Sequence, residues 1–265
     1  MSKRIIKILI LLGMIFYPKF VNADALVGEI TKDDYALKRP QVLDAESKTP
    51  IRGANVIIPI ENKIDKTDEN GHFKIAPSGR KPVILSIQKD GYRPFSLTLK
   101  DGKLDGRVAL ELQKQSPLSV IVSDDLLHLG DNSFSSNSAG ACHIFAPCIG
   151  PSFSKDFTVE KITPKTKVYV SIGSVIGIDT VQAMRLGQNN LTSAFSSPVE
   201  FFVNKTKIGE LKINGDNQKI PIPTKLLNSL SSNTLTVKTG TNKSSRDGID
   251  YDDIQLMNLI VDVKN

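Results

Sequence analysis

KTDENGHFKI, residues 66–75, places a run of turn-forming residues directly before an alternation of apolar and polar side chains. Asn70-Gly71 is a turn signal, because glycine adopts positive φ freely and Asp and Asn side chains hydrogen-bond to nearby backbone. Phe73 and Ile75 then share one face of an extended segment. The stretch predicts a turn followed at once by a strand. The alternative is a ligand-binding loop; we favour the turn, because Asp68 is placed to close it.

The same alternation of apolar and polar residues recurs along the chain, and Asn-Gly or Asp-Gly pairs separate many of the segments. The predicted strands include 83–87, 95–99, 108–112, 199–203, 235–237 and 261–263. Many short strands at regular spacing are typical of β-sandwiches. The sequence therefore predicts an all-β chain with two sandwiches in tandem.

The first 23 residues have the pattern of a secretory signal peptide. Basic side chains precede an almost wholly apolar run at residues 8–16, and Val21-Asn22-Ala23 supplies small residues for cleavage. A membrane-spanning helix needs about 20 apolar residues, and this run is much shorter. We therefore expect an exported protein, periplasmic or secreted, with no integral membrane segment after the signal is removed.

A change of pattern near residues 113–117 indicates a domain boundary. Strands are closely spaced before it, whereas a Ser/Gly-rich stretch at 132–140 follows it. The expected divisions are a signal peptide at 1–23, an extension at 24–39, a sandwich at 40–114 and a candidate ligand-binding sandwich at 115–265.

The charge balance argues against nucleic acid as a partner. The chain has 34 basic and 28 acidic residues, but four basic ones lie in the signal, which leaves 30 against 28. Neither half carries a basic stripe with interleaved aromatic residues. Nucleic-acid binding would require such a stripe.

The only two cysteines, Cys142 and Cys148, lie six positions apart. In an exported protein this spacing favours one disulfide that closes a surface loop. The alternative is a metal site that includes His143. Zinc sites need four ligands and commonly a closer cysteine spacing, so we favour the disulfide.

The first sandwich contains motifs in a recognisable order. They are a strand and Pro-Ile-Arg-Gly-Ala turn within 42–56, a T-D-x-x-G-x-F motif at 67–73, and Gly91-Tyr92. Over residues 40–112 this pattern resembles the carboxypeptidase regulatory-like family, which has a Greek-key sandwich of the transthyretin type. Pro40-Gln41 departs from the pattern, since the family usually has glycine there.

This resemblance implies a non-catalytic accessory domain, in which His72 faces solvent. A zinc peptidase would need His and Glu at short spacing in a metal-binding motif. The chain has three histidines, His72, His128 and His143, and none of them lies in such a motif. No G-x-S-x-G motif of a serine hydrolase occurs. A glycosidase remains an open alternative, because its two acids can lie anywhere in the sequence.

The second half has strand patterns that include N-T-L-T-V at 233–237 and a long apolar segment at 254–263. Over most of residues 118–264 it resembles a galactose-binding-like jelly roll of the kind used as a carbohydrate-binding module. Sugar recognition pairs aromatic faces with amide and carboxylate groups. The chain has no Trp, so only Phe and Tyr rings are available for stacking.

Four aspartates lie between residues 247 and 253, and Ca²⁺ binds six to eight oxygen ligands in such acidic loops. The jelly-roll resemblance implies a structural Ca²⁺ between a loop near the first strand and the last strand. The candidate ligands are Asp131, Asn132, Asp252 and Asp253. The alternative is that these carboxylates are solvated and balanced by nearby Lys and Arg.

The sequence as a whole predicts an exported, non-catalytic protein that binds carbohydrate or another cell-surface ligand through its jelly roll. One alternative is an assembly protein of the envelope or of a secreted complex, which acts through protein–protein contacts. A hydrolase with an unrecognised site is another. No cofactor is indicated apart from the structural calcium.

The signal peptide gives a direct prediction. In a bacterial expression host that exports the full chain, the mature protein should begin at Asp24, because cleavage follows Ala23. Intact-mass measurement of the exported protein checks this. A product that retains residues 1–23 would contradict it.

Overall fold

The computed structural model describes residues 39–104, 108–132, 147–160, 162–163, 165–188, 196–244 and 248–264. These residues belong to one compact unit that begins at Arg39. The predicted signal peptide, almost all of the predicted extension, and both Cys142 and His143 lie outside the described residues.

The first six strands form a small sandwich. They are β1 (Gln41–Asp44), β2 (Asn55–Ile58), β3 (Lys63–Lys66), β4 (Val83–Gln88), β5 (Phe95–Leu99) and β6 (Ala109–Leu112). An antiparallel sheet of order β3-β2-β4-β5 packs against the parallel pair β1-β6. Its core includes Val42, Val56, Phe73, Leu85 and Leu110, all buried. Alternation explains this core, because every second side chain of a strand points inward.

The turn at residues 68–71 forms as expected. The Asp68 carboxylate accepts hydrogen bonds from the backbone N–H of Asn70 and of His72, each at 2.9 Å. Gly71 has φ +73°, which glycine adopts without strain. Asp68 therefore closes a turn, and His72 is half-buried rather than fully solvent-facing.

The prediction of a strand directly after this turn is wrong. Residues 73–75 form no ladder, and His72 makes only an isolated bridge to Gln41 of β1. Phe73 is buried and Lys74 exposed, so the side chains still alternate. The Phe73 N–H donates to the Pro40 carbonyl at 3.4 Å and the Lys74 N–H to the Asp65 carboxylate at 2.7 Å, so these two backbone groups have separate partners rather than one paired strand.

The second half contributes ten further strands and one short helix. The strands are β7 (Val120–Leu129), β8 (Ser152–Thr158), β9 (Lys167–Ile176), β10 (Val199–Val203), β11 (Thr206–Leu211), β12 (Gly215–Ile222), β13 (Ser232–Lys238), β14 (Thr241–Ser244), β15 (Gly248–Tyr251) and β16 (Ile254–Lys264). Helix α1 is Val181–Arg185, and 3-10 turns occur at Pro59–Glu61 and Thr224–Leu226.

Eight of these strands form two four-stranded antiparallel sheets, with β14 and β15 as a separate hairpin. One sheet has the order β12-β9-β16-β7 and the other β11-β10-β13-β8. The first and last of the eight strands are neighbours in one sheet, and the chain winds back and forth between the sheets. This winding is that of a jelly roll. The predicted all-β fold, with two sandwiches in tandem of which the second is a jelly roll, is confirmed.

Strand β16 is buried on both faces over nearly its whole length. Leu256, Leu259 and Val261 point into the jelly-roll core. On the other face, Met257 packs with Ile84 of the first sandwich. A sheet covered on both sides reads as a continuous apolar run, as this strand does.

The final strand is irregular at Asn258. The pairing register shifts between Met257 and Leu259, and Asn258 has φ +60°. Gly173 on neighbouring β9 allows the first sandwich to approach this sheet closely, since a Cβ at residue 173 would lie 2.3 Å from the Ser96 hydroxyl of that sandwich.

Polar side chains bind the two sandwiches to each other. The Arg93 guanidinium of the first sandwich donates to the Asp262 carboxylate of β16, which also accepts from the Ser171 hydroxyl. Burial opposes ionisation of Asp262, but these two donors outweigh it and lower its pKa. At the edge of the same sheet, Asp216 of β12 accepts from the Thr98 hydroxyl at 2.7 Å.

Replacement of Arg93 by Ala should destabilise the folded chain by about 2–3 kcal/mol, because it leaves the Asp262 carboxylate buried with its cationic partner removed. Urea denaturation monitored by circular dichroism measures this. Arg52→Ala is the matched control, because its ion pair with Glu69 is exposed and should contribute less than about 1 kcal/mol. Equal losses in the two variants would show that the Arg93 contact does not stabilise the interface.

Candidate functional site

Four connections between jelly-roll strands meet at one end of the domain, which we call the loop end. They are the β7–β8, β9–β10, β11–β12 and β13–β16 connections. Hydrogen bonds join them: the Ile178 amide donates to the Asn214 side chain at 2.8 Å, and the Ser197 amide to the Thr241 carbonyl at 3.0 Å. The loop end gathers five aspartates from separate parts of the sequence, namely Asp131, Asp179, Asp250, Asp252 and Asp253.

The first acidic group surrounds Asp253, which has no accessible surface. Its Oδ1 accepts a hydrogen bond from the Asn132 backbone N–H at 2.9 Å and lies 3.4 Å from Nε2 of buried His128. Gly130 makes room for this carboxylate, since a Cβ at residue 130 would lie 2.1 Å from Oδ1. Asp253 thus fixes the β7–β8 loop against the start of β16.

Cys148 lies beside this group. Its thiol donates to the Gly130 carbonyl at 2.7 Å and is free of a disulfide in the structure. Burial raises the pKa of the thiol, and the nearby carboxylates of Asp253 and Asp131 raise it further. Because Cys142 lies outside the described residues, the Cys142–Cys148 disulfide stays a prediction.

Asp131 and Asn132 are exposed on the surface of the loop end. The Oδ2 of Asp131 accepts a hydrogen bond from the backbone N–H of Tyr251 at 3.3 Å. Tyr251 is half-buried, and its strand alternates, with Ile249 exposed and Asp250 buried. An acid, an amide and an aromatic residue therefore lie together at the surface.

The second acidic group surrounds Asp252, of which only 1% is exposed. Its Oδ1 accepts a hydrogen bond from the Ser196 hydroxyl, whereas its Oδ2 has no hydrogen-bond partner among the described residues. Asp179 is fully buried beside it, and neither of its carboxylate oxygens has a partner there. Gly240 leaves space for the group, since a Cβ at this position would lie 2.8 Å from Oδ2 of Asp252.

The environment of this pair disfavours negative charge. Burial, then the charge of Asp179 and that of Asp250, raise the pKa of Asp252 to about 9. Burial also raises the pKa of Asp179, although the Ser196 hydroxyl opposes this. Two carboxylates close together in a buried site cannot both ionise without a compensating positive charge.

The structure separates the four predicted calcium ligands. Asp131, Asn132 and Asp253 lie together, whereas Asp252 belongs to the group of Asp179 and Ser196. In the described part of the chain, no three His, Cys, Asp or Glu side chains form a metal-binding cluster. Calcium at the four predicted residues therefore stays a prediction.

Sequence reasoning did not find Asp179. It is a single aspartate just after β9, in Gly177-Ile178-Asp179-Thr180, with no acidic neighbour and no motif. Thr180 caps helix α1, because its hydroxyl accepts from the Ala183 backbone N–H at 3.2 Å. Only the jelly-roll winding brings Asp179 to Asp252.

Comparisons with known proteins identify one part of the chain. Residues 40–122 match the family model of the CarboxypepD_reg-like domain. No curated protein matches the chain significantly. Among solved structures, the chain is similar to the crystal structure of a proposed carbohydrate-binding protein from Bacteroides uniformis, with 12% identity and a TM-score of 0.21, covering 84% of this chain and 96% of the other.

None of the helical segments in the described part of the chain has the length and apolar character that a membrane crossing requires.

The raised pKa of Asp252 predicts how stability depends on pH. With chelator present, Asp252 keeps its proton up to about pH 9 in the folded state, whereas in the unfolded state it loses the proton near pH 3.8. The free energy of unfolding therefore declines as pH rises between these two values. Asp252→Asn removes the ionisable group. Between pH 6 and 9 the free energy of unfolding of this variant should fall less steeply than that of the wild type, by about 1 kcal/mol per pH unit.

Urea denaturation at several pH values in EDTA measures this difference. Asp131→Asn is the control, since Asp131 is exposed and its removal should leave the slope as in the wild type. Parallel pH profiles for the wild type and Asp252→Asn would contradict a proton held by the buried pair.

Proposed function

With a CarboxypepD_reg-like domain at residues 40–122 and a jelly roll after it, we propose that this chain is an exported, non-catalytic binding protein. Its ligand is a carbohydrate or another cell-surface component, and the loop end of the jelly roll binds it. The export proposal is supported by the signal pattern of residues 1–23. The binding proposal is supported by the surface side chains of the loop end.

The observation that carries the proposal is the surface group of Asp131, Asn132 and Tyr251. Asp131 and Asn132 are exposed, and the backbone of Tyr251 is hydrogen-bonded to the Asp131 carboxylate. A carboxylate accepts hydrogen bonds from sugar hydroxyls, an amide both donates and accepts them, and an aromatic face packs on the apolar face of a sugar ring. These are the groups that glycan recognition uses.

The surrounding backbone holds these groups in place. Tyr251 ends β15 and pairs with Thr241 of β14 in an antiparallel hairpin. Asn132 is tied to buried Asp253, which precedes β16 directly. The binding groups therefore sit on loops that are fastened to the sheet, and a preformed site loses less entropy when it binds.

The chemistry of the loop end supports binding rather than catalysis. Asp179, Asp252 and Asp253 have almost no accessible surface, so a substrate cannot reach them in this arrangement. The raised pKa of Cys148 disfavours the thiolate, which is the nucleophilic form.

A second candidate function is protein–protein assembly, and one observation favours it. Large aliphatic side chains are exposed on the loop end, at Ile149, Val181, Leu186 and Ile249. These residues belong to connections that meet at this end of the domain, and an exposed apolar surface is typical of protein contact sites. The two functions predict different results for variants of the loop end.

Tyr251→Ala should weaken binding to a glycan selected on an array by about tenfold, because the variant loses the only aromatic ring of the surface group. Array screening with the wild type first identifies the glycan, and titration calorimetry then measures both affinities. Tyr169→Ala is the control: Tyr169 is also half-buried but lies near the start of β9, at the opposite end of the strand from the β9–β10 loop.

An array without a reproducible glycan, or equal losses in the two tyrosine variants, would overturn the glycan proposal. If Ile249→Ser instead abolished self-association or capture of one envelope protein while the array stayed blank, the assembly function would replace it.

A further inference from the structure

The buried pair Asp179–Asp252 leaves three carboxylate oxygens without hydrogen-bond partners among the described residues: both oxygens of Asp179 and Oδ2 of Asp252. These atoms are also shielded from solvent, so bulk water does not satisfy them. Buried polar atoms almost always have a partner, and an unpaired buried charge is strongly unfavourable. The arrangement therefore requires a positively charged or proton-donating species.

The neighbouring side chains do not supply it. The Ser196 hydroxyl has one proton, and it donates that proton to Oδ1 of Asp252. Among the described residues, the charged side chain beyond the pair that acts most strongly on both carboxylates is Asp250, which is 5% exposed and adds negative charge. The hydroxyl and backbone N–H of Ser196 offset part of the effect of burial at Asp179, but they carry no positive charge.

A proton shared between the two carboxyl groups satisfies only part of this requirement. Bound to Oδ2 of Asp252, it gives a hydrogen bond to one oxygen of Asp179 and leaves the other oxygen unpaired. A metal cation accepts electron pairs from several oxygens at once. It can therefore neutralise both charges and contact all three unpaired oxygens.

We propose that Asp179 and Asp252 together hold a calcium ion at the loop end of the jelly roll. Oxygen-only ligands favour a hard cation, and Ca²⁺ tolerates irregular geometry with carboxylate, hydroxyl, carbonyl and water ligands. Because the described residues provide no cluster of three acids, the Ser196 hydroxyl oxygen, backbone carbonyls and water complete its coordination. This site differs from the predicted one, which includes Asp131 and Asn132 and does not include Asp179.

The position of the two ligands gives this ion a structural role. Asp179 belongs to the β9–β10 connection and Asp252 to the β13–β16 connection. The Asp252 backbone is itself fixed, since its N–H donates to the Gly240 carbonyl at 2.9 Å and its carbonyl accepts from the Thr239 hydroxyl at 2.6 Å. A cation between the two residues therefore links two loops of the candidate binding surface, independently of which ligand binds there.

The test is calorimetric titration of the EDTA-treated and desalted chain with CaCl₂ at pH 7.5, together with thermal unfolding. We expect one Ca²⁺ per chain and a rise in Tm of about 5 °C when Ca²⁺ exceeds Kd about 100-fold. The apparent affinity should increase from pH 6 to pH 8, because the ion displaces the proton of the pair.

Asp179→Asn and Asp252→Asn should each abolish the Ca²⁺ response. Both variants should fold, since the amide keeps the side-chain shape and removes the repulsion between carboxylates, and a cooperative melting transition verifies this. Asp131→Asn is the matched control, which should bind Ca²⁺ as the wild type does.

Absence of a Ca²⁺ response in the wild type, with stability that falls as pH rises, would show that the pair holds only a proton. A response that survives in Asp179→Asn but is lost in Asp131→Asn would instead locate the ion at the predicted site and overturn the proposal. Neither outcome depends on whether the chain binds a glycan.

Discussion

Strand β16 is buried on both faces, and this burial joins the two sandwiches into one structure. One face of the strand closes the jelly-roll core through Leu256, Leu259 and Val261, while the other meets the first sandwich. Burial of apolar side chains on two sides is favourable, but it leaves no water for the polar residues of the strand. Asp262 is stable there because Arg93 and Ser171 bind it.

The strands could be predicted from the sequence because period-two alternation reflects the two faces of a sheet, and that signal is local. The alternation persisted after the 68–71 turn, although no strand formed there. A strand also needs a neighbour for its backbone hydrogen bonds, and the presence of a neighbour depends on the whole fold. The sequence pattern of residues 73–75 therefore showed which side chains are buried but not how the backbone is paired.

The candidate site was only partly predictable for the same reason. The aspartates between 247 and 253 are conspicuous because they are close in sequence, yet Asp252 and Asp253 have different partners in the structure. Asp179 has no sequence signal at all, since its partner lies on a distant connection. Adjacent residues of an extended chain point in opposite directions, so an acidic run is divided between sites rather than gathered into one.

The order of the strands has a kinetic consequence. Strand β16 lies between β7 and β9, and it is the eighth strand of the jelly roll along the chain. The sheet cannot be completed before this strand joins it, and the pairing of β16 with β7 closes a long loop. Folds dominated by such distant contacts fold slowly. The first sandwich, whose strands are complete by Leu112, can form earlier and offer β16 a surface on which to assemble the second.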